Sequence, residues 1–265
     1  MSAPGTRARR APPPLRPVTL RRTERLGPRM ARVTLAGPAL AGLTVQEPAA
    51  SVRLLLPSEG TTDLVVPTWN GNEFLLPDGR RPVLRTFTPR RLDPDALELD
   101  LDIVLHGAGA ASAWAQTAVP GAPAAISGPG RGYTVDADAP AFLLAGDETA
   151  LPAIAQLLGA IPPEVPVQVH VELARPDARV ALPDHPDATV AWHVLAPDAP
   201  PGDAMVAAVQ AAALPRDARI WVAGEAAAVQ RIRRHLFEAR GIPRALTSVR
   251  GYWKVGRSEA AAGDG

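Results

Sequence analysis

The feature that most constrains the fold is a change of pattern near Asp138. Before it, short apolar runs such as residues 31–36 and 52–56 are separated by glycine and proline turns, with scarcely a helical pattern. After it, apolar runs alternate with stretches in which apolar residues recur every three or four positions. Closely spaced strands predict a small antiparallel barrel, and strand–helix alternation predicts a parallel sheet with helices on its faces. The sequence therefore predicts a β-barrel followed by an α/β domain.

One segment of the first half alternates strictly between apolar and acidic residues, in the run LELDLDI at residues 97–103. Successive side chains of a strand point to opposite faces, so this alternation is typical of a half-buried strand. In the second half we predict strands at residues 142–145, 167–173, 189–195, 219–223 and 248–253, and helices at residues 149–159, 203–213 and 225–240. Ligands of such parallel sheets bind beyond the carboxyl ends of the strands.

The pattern divides the 265 residues into two domains with a tail at each end. A chain of this length is large for one compact domain, and two modest domains are the usual arrangement. We expect a disordered tail at residues 1–14, the barrel at 15–138, the α/β domain at 139–257 and a second tail at 258–265. The first tail is rich in arginine and proline and lacks the apolar stretch of an export signal. We therefore expect a cytoplasmic protein.

Composition excludes several classes of chemistry. There are no cysteines, which rules out disulfides, thiolate nucleophiles and cysteine-ligated zinc or iron–sulfur centres. The five histidines lack the spacing of a metal site, so we predict no metal held by the protein. The net charge of +1 argues against nucleic acid as a partner, and no apolar run reaches the roughly 20 residues of a membrane-spanning helix. Redox chemistry in this chain would need a borrowed cofactor.

Two motifs, on either side of the alternating strand, could together hold a flat, phosphorylated, aromatic cofactor. Arg85-Thr86-Phe87-Thr88 offers a guanidinium, hydroxyl groups and an aromatic face in an extended segment. The stretch from His106 to Trp114 offers small residues that lead into a helix start. Small residues let the backbone approach a phosphate, and the free N–H groups of a helix start attract an anion. Each motif alone is weak, since the first is more often an ordinary strand and the second a plain loop. Their separation by one strand favours a dinucleotide site.

These residues resemble a known family. Arg85-Thr86-Phe87-Thr88 resembles the Arg-x-Tyr-(Ser/Thr) motif of the flavin-binding barrel in the ferredoxin-reductase superfamily. Four further segments resemble, in order, the siderophore-interacting proteins: residues 102–115, GPGRG at 128–132, AGDETALPAI at 145–154 and GYWKVGR at 251–257. These proteins are flavin-dependent ferric-siderophore reductases. The GDETALP segment is the most specific, since related reductases usually have a glycine-rich loop there.

The resemblance implies a Greek-key barrel of the ferredoxin-reductase type that binds FAD, followed by a nicotinamide-binding-like α/β domain. It assigns Arg85 to the pyrophosphate, Phe87 to the wall of the ring and Thr88 to the N5/O4 edge. The full set of cofactor-binding residues that it implies is Arg85, Thr86, Phe87, Thr88, His106, Gly107, Gly109, Ala111, Ser112, Thr149 and Ala150. Phe87 replaces the usual tyrosine, which removes one hydrogen bond worth on the order of 1 kcal/mol and keeps the aromatic face.

The resemblance also implies the substrate and the electron donor. Ferric siderophores are often anionic, so a pocket beside the flavin should carry cations. The matching candidates are Arg53, Arg131 and Lys254, with Arg250 and Arg257 nearby in sequence. Electrons would come from NAD(P)H or from a reduced ferredoxin, and reduction would release Fe(II) in the cytoplasm. No acid–base triad is visible, and we predict no catalytic side chain.

Alternatives remain open from the sequence. A general flavin or ferric reductase, or an electron-transfer component of another redox system, would use the same scaffold. A non-catalytic siderophore carrier is a third reading, against which Arg85 and the segment 109–112 argue. The pair Tyr252-Trp253 either packs at the end of a strand or lies against the flavin or nicotinamide site as a gate.

Overall fold

The computed structural model describes residues 12–107 and 109–256 of the chain. The predicted tail 1–14 lies outside this description except for its last three residues, and the predicted tail 258–265 lies outside it entirely. Within the described residues, no helix combines the length and the apolar character needed to cross a bilayer. This part of the chain folds into one large antiparallel sheet and one parallel sheet, with a small separate strand pair.

The first half forms an antiparallel sheet of seven strands. Its elements in chain order are β1 (Arg16–Gly27), β2 (Met30–Ala36), β3 (Val52–Leu56), β4 (Thr68–Trp69), β5 (Phe74–Leu75), β6 (Val83–Phe87), β7 (Pro89–Asp93), β8 (Glu98–Val104), the helix α1 (Ala110–Thr117) and β9 (Pro123–Ser127). The large sheet has the strand order β6-β3-β9-β1-β2-β8-β7, and β4 pairs with β5 alone.

The antiparallel sheet curls on itself because its two edge strands are consecutive in the chain. β6 and β7 lie at opposite edges of the sheet, yet only Thr88 separates them. Consecutive Cα atoms are only about 3.8 Å apart, so the two edges must meet. The closed sheet surrounds a core that includes Leu35, Leu54, Leu99 and Ile126. The predicted barrel is confirmed.

Strand β8 contains the alternating acidic residues, and both of its faces are covered. Its leucines pack in the barrel core. On the other face Asp102 accepts two hydrogen bonds from Arg32, at 2.7 and 2.9 Å, and Asp100 accepts one from the Thr34 hydroxyl at 2.6 Å. Each partner stands directly opposite its acid on β2. The alternation predicted one buried face, and these cross-strand partners bury the acidic face as well.

The second half forms a parallel sheet of five strands with helices on both faces. Its elements are β10 (Phe142–Asp147), α2 (Leu151–Ala160), β11 (Val167–Leu173), β12 (Ala188–Val194), α3 (Asp203–Ala211), β13 (Arg219–Glu225), α4 (Ala226–Arg234) and β14 (Thr247–Trp253). Phe142 and Leu144 pack with α2, while Leu143 and Ala145 pack with α3 and α4 on the other face. The strand order β12-β11-β10-β13-β14 changes direction between β10 and β13. Doubly wound folds bind ligands in the crevice beyond the carboxyl ends of such a pair of strands. The predicted α/β domain is confirmed.

All three predicted helices are present, but each is shorter than the pattern predicted. The predicted helix 149–159 begins with a 3-10 turn at Glu148–Ala150, and the predicted helix 225–240 ends in a π-helical turn at His235–Ala239. Both turns continue directly into the neighbouring helix, so periodicity alone could not locate the helix ends.

The two halves share apolar contacts and a buried ion pair. Met30 and Ala49 of the barrel pack in the hydrophobic core of the α/β half. Arg29, in the turn before β2, donates to both carboxylate oxygens of Glu148 at 3.1 and 2.8 Å. Glu148 is 5% exposed and also accepts the backbone N–H of Ala174 at 2.9 Å. The ion pair therefore joins the barrel to the carboxyl edge of the parallel sheet.

We predict that Arg29→Met destabilises the protein far more than Arg22→Met. The first change leaves the buried Glu148 carboxylate without its cation, which costs about 3 kcal/mol. Arg22 forms an exposed pair with Glu98, of a kind that contributes at most about 1 kcal/mol. Urea unfolding of both variants and the wild type at neutral pH measures the difference. Equal losses in the two variants would contradict this view of the interface.

Candidate functional site

The segment before α1 is held in place by one hydroxyl group. The Ser112 side chain accepts the backbone N–H of His106 at 2.9 Å and donates to the His106 carbonyl at 2.6 Å. Ser112 is 1% exposed, so its hydroxyl shapes the loop and is not open to a ligand. In the predicted phosphate cradle it is therefore a positioning residue. Ala108, within the same loop, lies outside the described residues.

The start of α1 has no side-chain cap. Gly109 precedes the helix, and no described side chain caps it. A Cβ placed on Gly107 would meet no atom within 4 Å, so the space beside it is free. Ala111 packs its side chain in the barrel core, which leaves only its backbone for a ligand. Because the first N–H groups of a helix have no partner within the helix, this end can bind an anion through its backbone.

Strand β6 presents Arg85 and Phe87 on one face and Thr86 on the other. Arg85 stands opposite the core residue Leu54 on β3, and Phe87 packs against the same core. Thr86 is exposed and stands opposite Arg53. Opposed residues of an antiparallel pair share a face of the sheet. The strand therefore directs a guanidinium and an aromatic ring to the core side, and it separates Thr86 from them.

A tyrosine of the second half reaches the barrel at Thr88. This threonine joins β6 to β7 and is buried. Tyr252, in β14, lies beside the Thr88 side chain; burial raises the pKa of the phenol, and the Thr88 hydroxyl opposes the rise. The Tyr252 ring also packs edge-on against Trp221, with the ring centroids 6.3 Å apart. The end of the parallel sheet thus lies beside the strand that contains Arg85.

Asp147 links the ends of β10, β13 and β14 by hydrogen bonds at the carboxyl edge of the parallel sheet. Its Oδ1 accepts the backbone N–H of Thr149 at 2.9 Å and the hydroxyl of the same residue. Its Oδ2 accepts the backbone N–H of Glu225 at 3.0 Å and the indole N–H of Trp253 at 2.7 Å. Burial raises the pKa of the Asp147 carboxyl, and these donors oppose the rise. The hydrogen bond gives Trp253 a structural role at the end of β14.

Two further carboxyl groups at this edge hold helix starts. Glu172, in β11, accepts the N–H of Gly202 at 2.6 Å and of Met205 at 3.0 Å, at the start of α3. Glu225, at the end of β13, accepts the N–H of Ala228 in α4 at 2.9 Å. Burial raises the pKa of Glu172, and its backbone donors oppose the rise. The sequence analysis gave neither acid this role.

Three arginines lie around the loop that follows β9. Arg53 stands opposite Ser127 at the end of β9, and Arg131 is exposed in the loop itself. Arg250, in β14, donates to the carbonyls of Arg131 and the next residue at 3.3 and 3.2 Å. The sequence named Lys254 as the third cation. No described hydrogen bond or ion pair joins the exposed Lys254 to this loop, whereas Arg250 contacts it directly.

The two residues of the second half that the resemblance assigns to the cofactor differ in exposure. Thr149 is partly exposed, and its N–H and hydroxyl are bonded to Asp147. Ala150 is fully buried in the core and packs so closely on Gly146 that a side chain there would collide with it. The Ala150 side chain therefore packs in the core, which leaves only its backbone as a candidate contact, and Thr149 remains a candidate as well.

The barrel has the parts of a flavin dinucleotide site. The open start of α1 suits a pyrophosphate, Arg85 suits its charge and Phe87 offers an aromatic wall. The residues present therefore fit FAD. A flavin-binding barrel joined to a parallel α/β unit is the architecture of the ferredoxin-reductase class of oxidoreductases. The ferredoxin reductase in carbazole 1,9a-dioxygenase shares the fold, with 17% identity and a TM-score of 0.67 over 92% of this chain and 70% of that one.

Comparisons with families and relatives go further. The family model described as siderophore-interacting FAD-binding domain matches residues 19–133, and the one described as siderophore-interacting protein matches residues 139–256. The chain belongs to the siderophore-interacting protein family. It is similar to a siderophore utilization protein from T. fusca, with 32% identity and a TM-score of 0.82 over 94% of this chain and 96% of that one. It is 29% identical to the ferric vibriobactin reductase ViuB of Vibrio cholerae over 88% of this chain and 86% of that protein.

We predict that Ser112→Ala weakens FAD binding, while Thr117→Ala on the same helix does not. Without the Ser112 hydroxyl, the His106 backbone loses two partners, which costs roughly 1–2 kcal/mol, or about 5- to 30-fold in affinity. Thr117 bonds only a carbonyl on the exposed side of α1. Fluorescence titration of the apoproteins with FAD measures both constants. Unchanged affinity in the Ser112 variant would contradict its positioning role.

We predict that Glu172→Gln alters how stability depends on pH. The pKa of Glu172 is raised in the folded state, so between its unfolded and folded values the folded protein binds more protons and wild-type stability falls as the pH rises. The variant lacks this titration. Its stability relative to wild type should improve as the pH rises from about 4.3 through that window. Urea unfolding at several pH values gives the difference in free energy of unfolding between the variant and the wild type. Titrations of other groups cancel in this difference. A difference that does not change with pH would contradict the raised pKa.

Proposed function

We propose that the protein is an FAD-dependent reductase of ferric siderophores, acting in the cytoplasm with NAD(P)H or a reduced ferredoxin as electron donor. Membership of the siderophore-interacting family supports this proposal, as does the similarity to a protein named ferric vibriobactin reductase. The observation on which it mainly depends is structural. An uncapped helix start and a strand with an arginine and an aromatic ring belong to the same barrel, and the loop that follows its last strand contains Arg131 and is contacted by Arg250.

The barrel would hold the cofactor. The backbone at the start of α1 and the Arg85 guanidinium would bind the pyrophosphate, and Phe87 would lie along the ring. When bound, FAD supplies the redox chemistry, since it accepts two electrons from the donor and passes them singly to Fe(III). Tyr252 brings the second half beside Thr88, at the end of the cofactor strand. The protein therefore positions the ring edge and needs no proton-transferring side chain.

The arginines around the loop after β9 would bind the ferric complex. Arg53, Arg131 and Arg250 come from three separate elements, and each presents a planar guanidinium that suits dispersed negative charge. Arg250 joins the proposed set because it contacts the loop, and Lys254 remains an outer candidate. Iron leaves after reduction because Fe(II) binds hard oxygen ligands less tightly than Fe(III) does.

An anaerobic single-turnover experiment tests the proposed function. The FAD-loaded protein is reduced with dithionite, freed of excess reductant and mixed with a ferric siderophore and a colorimetric Fe(II) chelator. We expect the flavin absorbance to return and about two Fe(II) to form per FAD, because FAD carries two electrons. A flavin that stays reduced would overturn the proposal. Faster turnover on free flavin than on ferric siderophores would favour a general flavin reductase instead.

We predict that Arg53→Ala and Arg131→Ala each raise the KM for an anionic ferric siderophore and leave the FAD content unchanged. Loss of one partly solvated charge contact should raise KM by about 2- to 10-fold, and the effect should shrink at high salt. Arg216→Ala is the matched control, because Arg216 is exposed in the loop before β13, at the opposite edge of the parallel sheet. An unchanged KM in both test variants would remove these arginines from the site.

A further inference from the structure

The two halves differ in how their helix starts are used. In the barrel, no described side chain caps α1, and Gly107 borders open space. In the α/β half, carboxyl groups of the chain bind N–H groups at the starts of α3 and α4 and in the turn that leads into α2. These positions, at the carboxyl edge of a doubly wound sheet, are where helix starts bind the diphosphate of a dinucleotide.

Hydrogen bonds within the chain bridge the crevice between β10 and β13, where the strand order changes direction. Asp147, at the end of β10, accepts the N–H of Glu225, at the end of β13, at 3.0 Å. Gly224, with φ 158°, lets β13 come so close that a Cβ there would meet Asp147 Oδ2 at 2.7 Å. The indole N–H of Trp253 donates to the same oxygen at 2.7 Å. The polar groups of this crevice are therefore bonded to one another.

Most N–H groups at the start of α3 are bonded within the chain. Glu172 accepts the N–H groups of Gly202 and Met205. The intervening Asp203 donates its N–H to a loop carbonyl at 3.1 Å. Three of the four N–H groups from Gly202 to Met205, which a diphosphate would need, therefore already have partners.

Each of the other two helix starts has one N–H group bonded to a carboxyl group of the chain. The N–H of Thr149, in the turn before α2, is bonded to Asp147, and Pro152 in the first turn of the helix has no N–H. At α4 the N–H of Ala228 is bonded to Glu225, which is 3% exposed. The carboxyl groups thus stand where the phosphates of a bound dinucleotide would lie.

We propose that Asp147, Glu172 and Glu225 set the specificity for the electron donor, because they occupy the backbone groups that would otherwise bind a dinucleotide diphosphate. A reduced nicotinamide is then recognised through its ring, and its adenosine diphosphate part contributes little to binding. This inference rests on the proposed function, since it concerns the donor side of the same flavin site. It extends that function by stating that the donor site does not recognise the adenosine diphosphate part of the donor.

Calorimetric titration of the FAD-loaded protein with ADP-ribose tests the inference without any turnover. Bound FAD keeps ADP-ribose out of the cofactor site, so only the α/β half is probed. We expect no detectable heat at millimolar ADP-ribose. Binding with a micromolar dissociation constant would overturn the inference.

Reduction of the flavin by a series of donors gives a second readout. NADH and reduced nicotinamide mononucleotide should reduce the bound flavin with second-order rate constants within about tenfold of each other, whereas each charge-assisted hydrogen bond to a diphosphate would favour NADH by about 10- to 100-fold. A larger advantage for NADH would contradict the inference. The ADP-ribose titration decides the question even where neither donor reacts.

Two variants test the stated cause. Asp147→Ala frees the N–H groups of Thr149 and Glu225, and Glu172→Ala frees those of Gly202 and Met205. ADP-ribose should bind measurably to at least one of them. Asp78→Ala is the control, because this exposed barrel carboxylate pairs only with its neighbour Arg80 and should leave the titration unchanged.

Failure of both variants to bind ADP-ribose, with melting curves showing that they fold, would overturn the assigned cause. Failure of the proposed function would give a different experimental result. It appears as a protein that does not bind FAD, or as a reduced flavin that does not react with a ferric siderophore.

Discussion

A single residue, Thr88, separates the two edge strands of the antiparallel sheet, and this covalent constraint determines where the candidate site lies. The edges can meet only if the sheet closes, and closure places Arg85 and Phe87 on the core side of β6. Tyr252 of the second half lies beside the same threonine. The closure of the barrel, the end of the proposed cofactor strand and the contact between the two halves therefore all lie at Thr88.

Both halves contain helix starts whose N–H groups attract negative charge, but these groups have different partners in the two halves. A helix start attracts negative charge because its first N–H groups lack partners. The barrel leaves the start of α1 open, which suits a phosphorylated cofactor held from outside. The α/β half satisfies such groups with its own buried acids, Asp147, Glu172 and Glu225. That half consequently gains a rigid carboxyl edge, and in our account its acids exclude a diphosphate there.

Much of the fold could be predicted from sequence, because periodicity reports which side chains are buried. The strand Val52–Leu56 and the order of strands and helices after Asp138 are examples. What periodicity cannot report is pairing between distant segments. It gave no sign that Arg32 would cover Asp102 across the sheet, or that β6 and β7 would form opposite edges.

The candidate site shows the same limit. The motif at Arg85 and the small residues near Gly109 were visible because their spacing is local. The contact of Arg250 with the loop at Arg131 spans more than a hundred residues, so only the fold reveals it. The sequence predicted Ser112 as a phosphate contact, and in the structure its hydroxyl is bonded to His106. Local sequence identifies groups that suit a ligand, and packing decides which of them remain available to it.

The most direct test of this account is a titration of the apoprotein with FAD and, separately, with riboflavin, which lacks the pyrophosphate. If the open start of α1 and Arg85 bind the pyrophosphate, one FAD should bind per chain, and riboflavin should bind at least about 100-fold more weakly. A protein that binds neither molecule, or both equally well, would contradict the account.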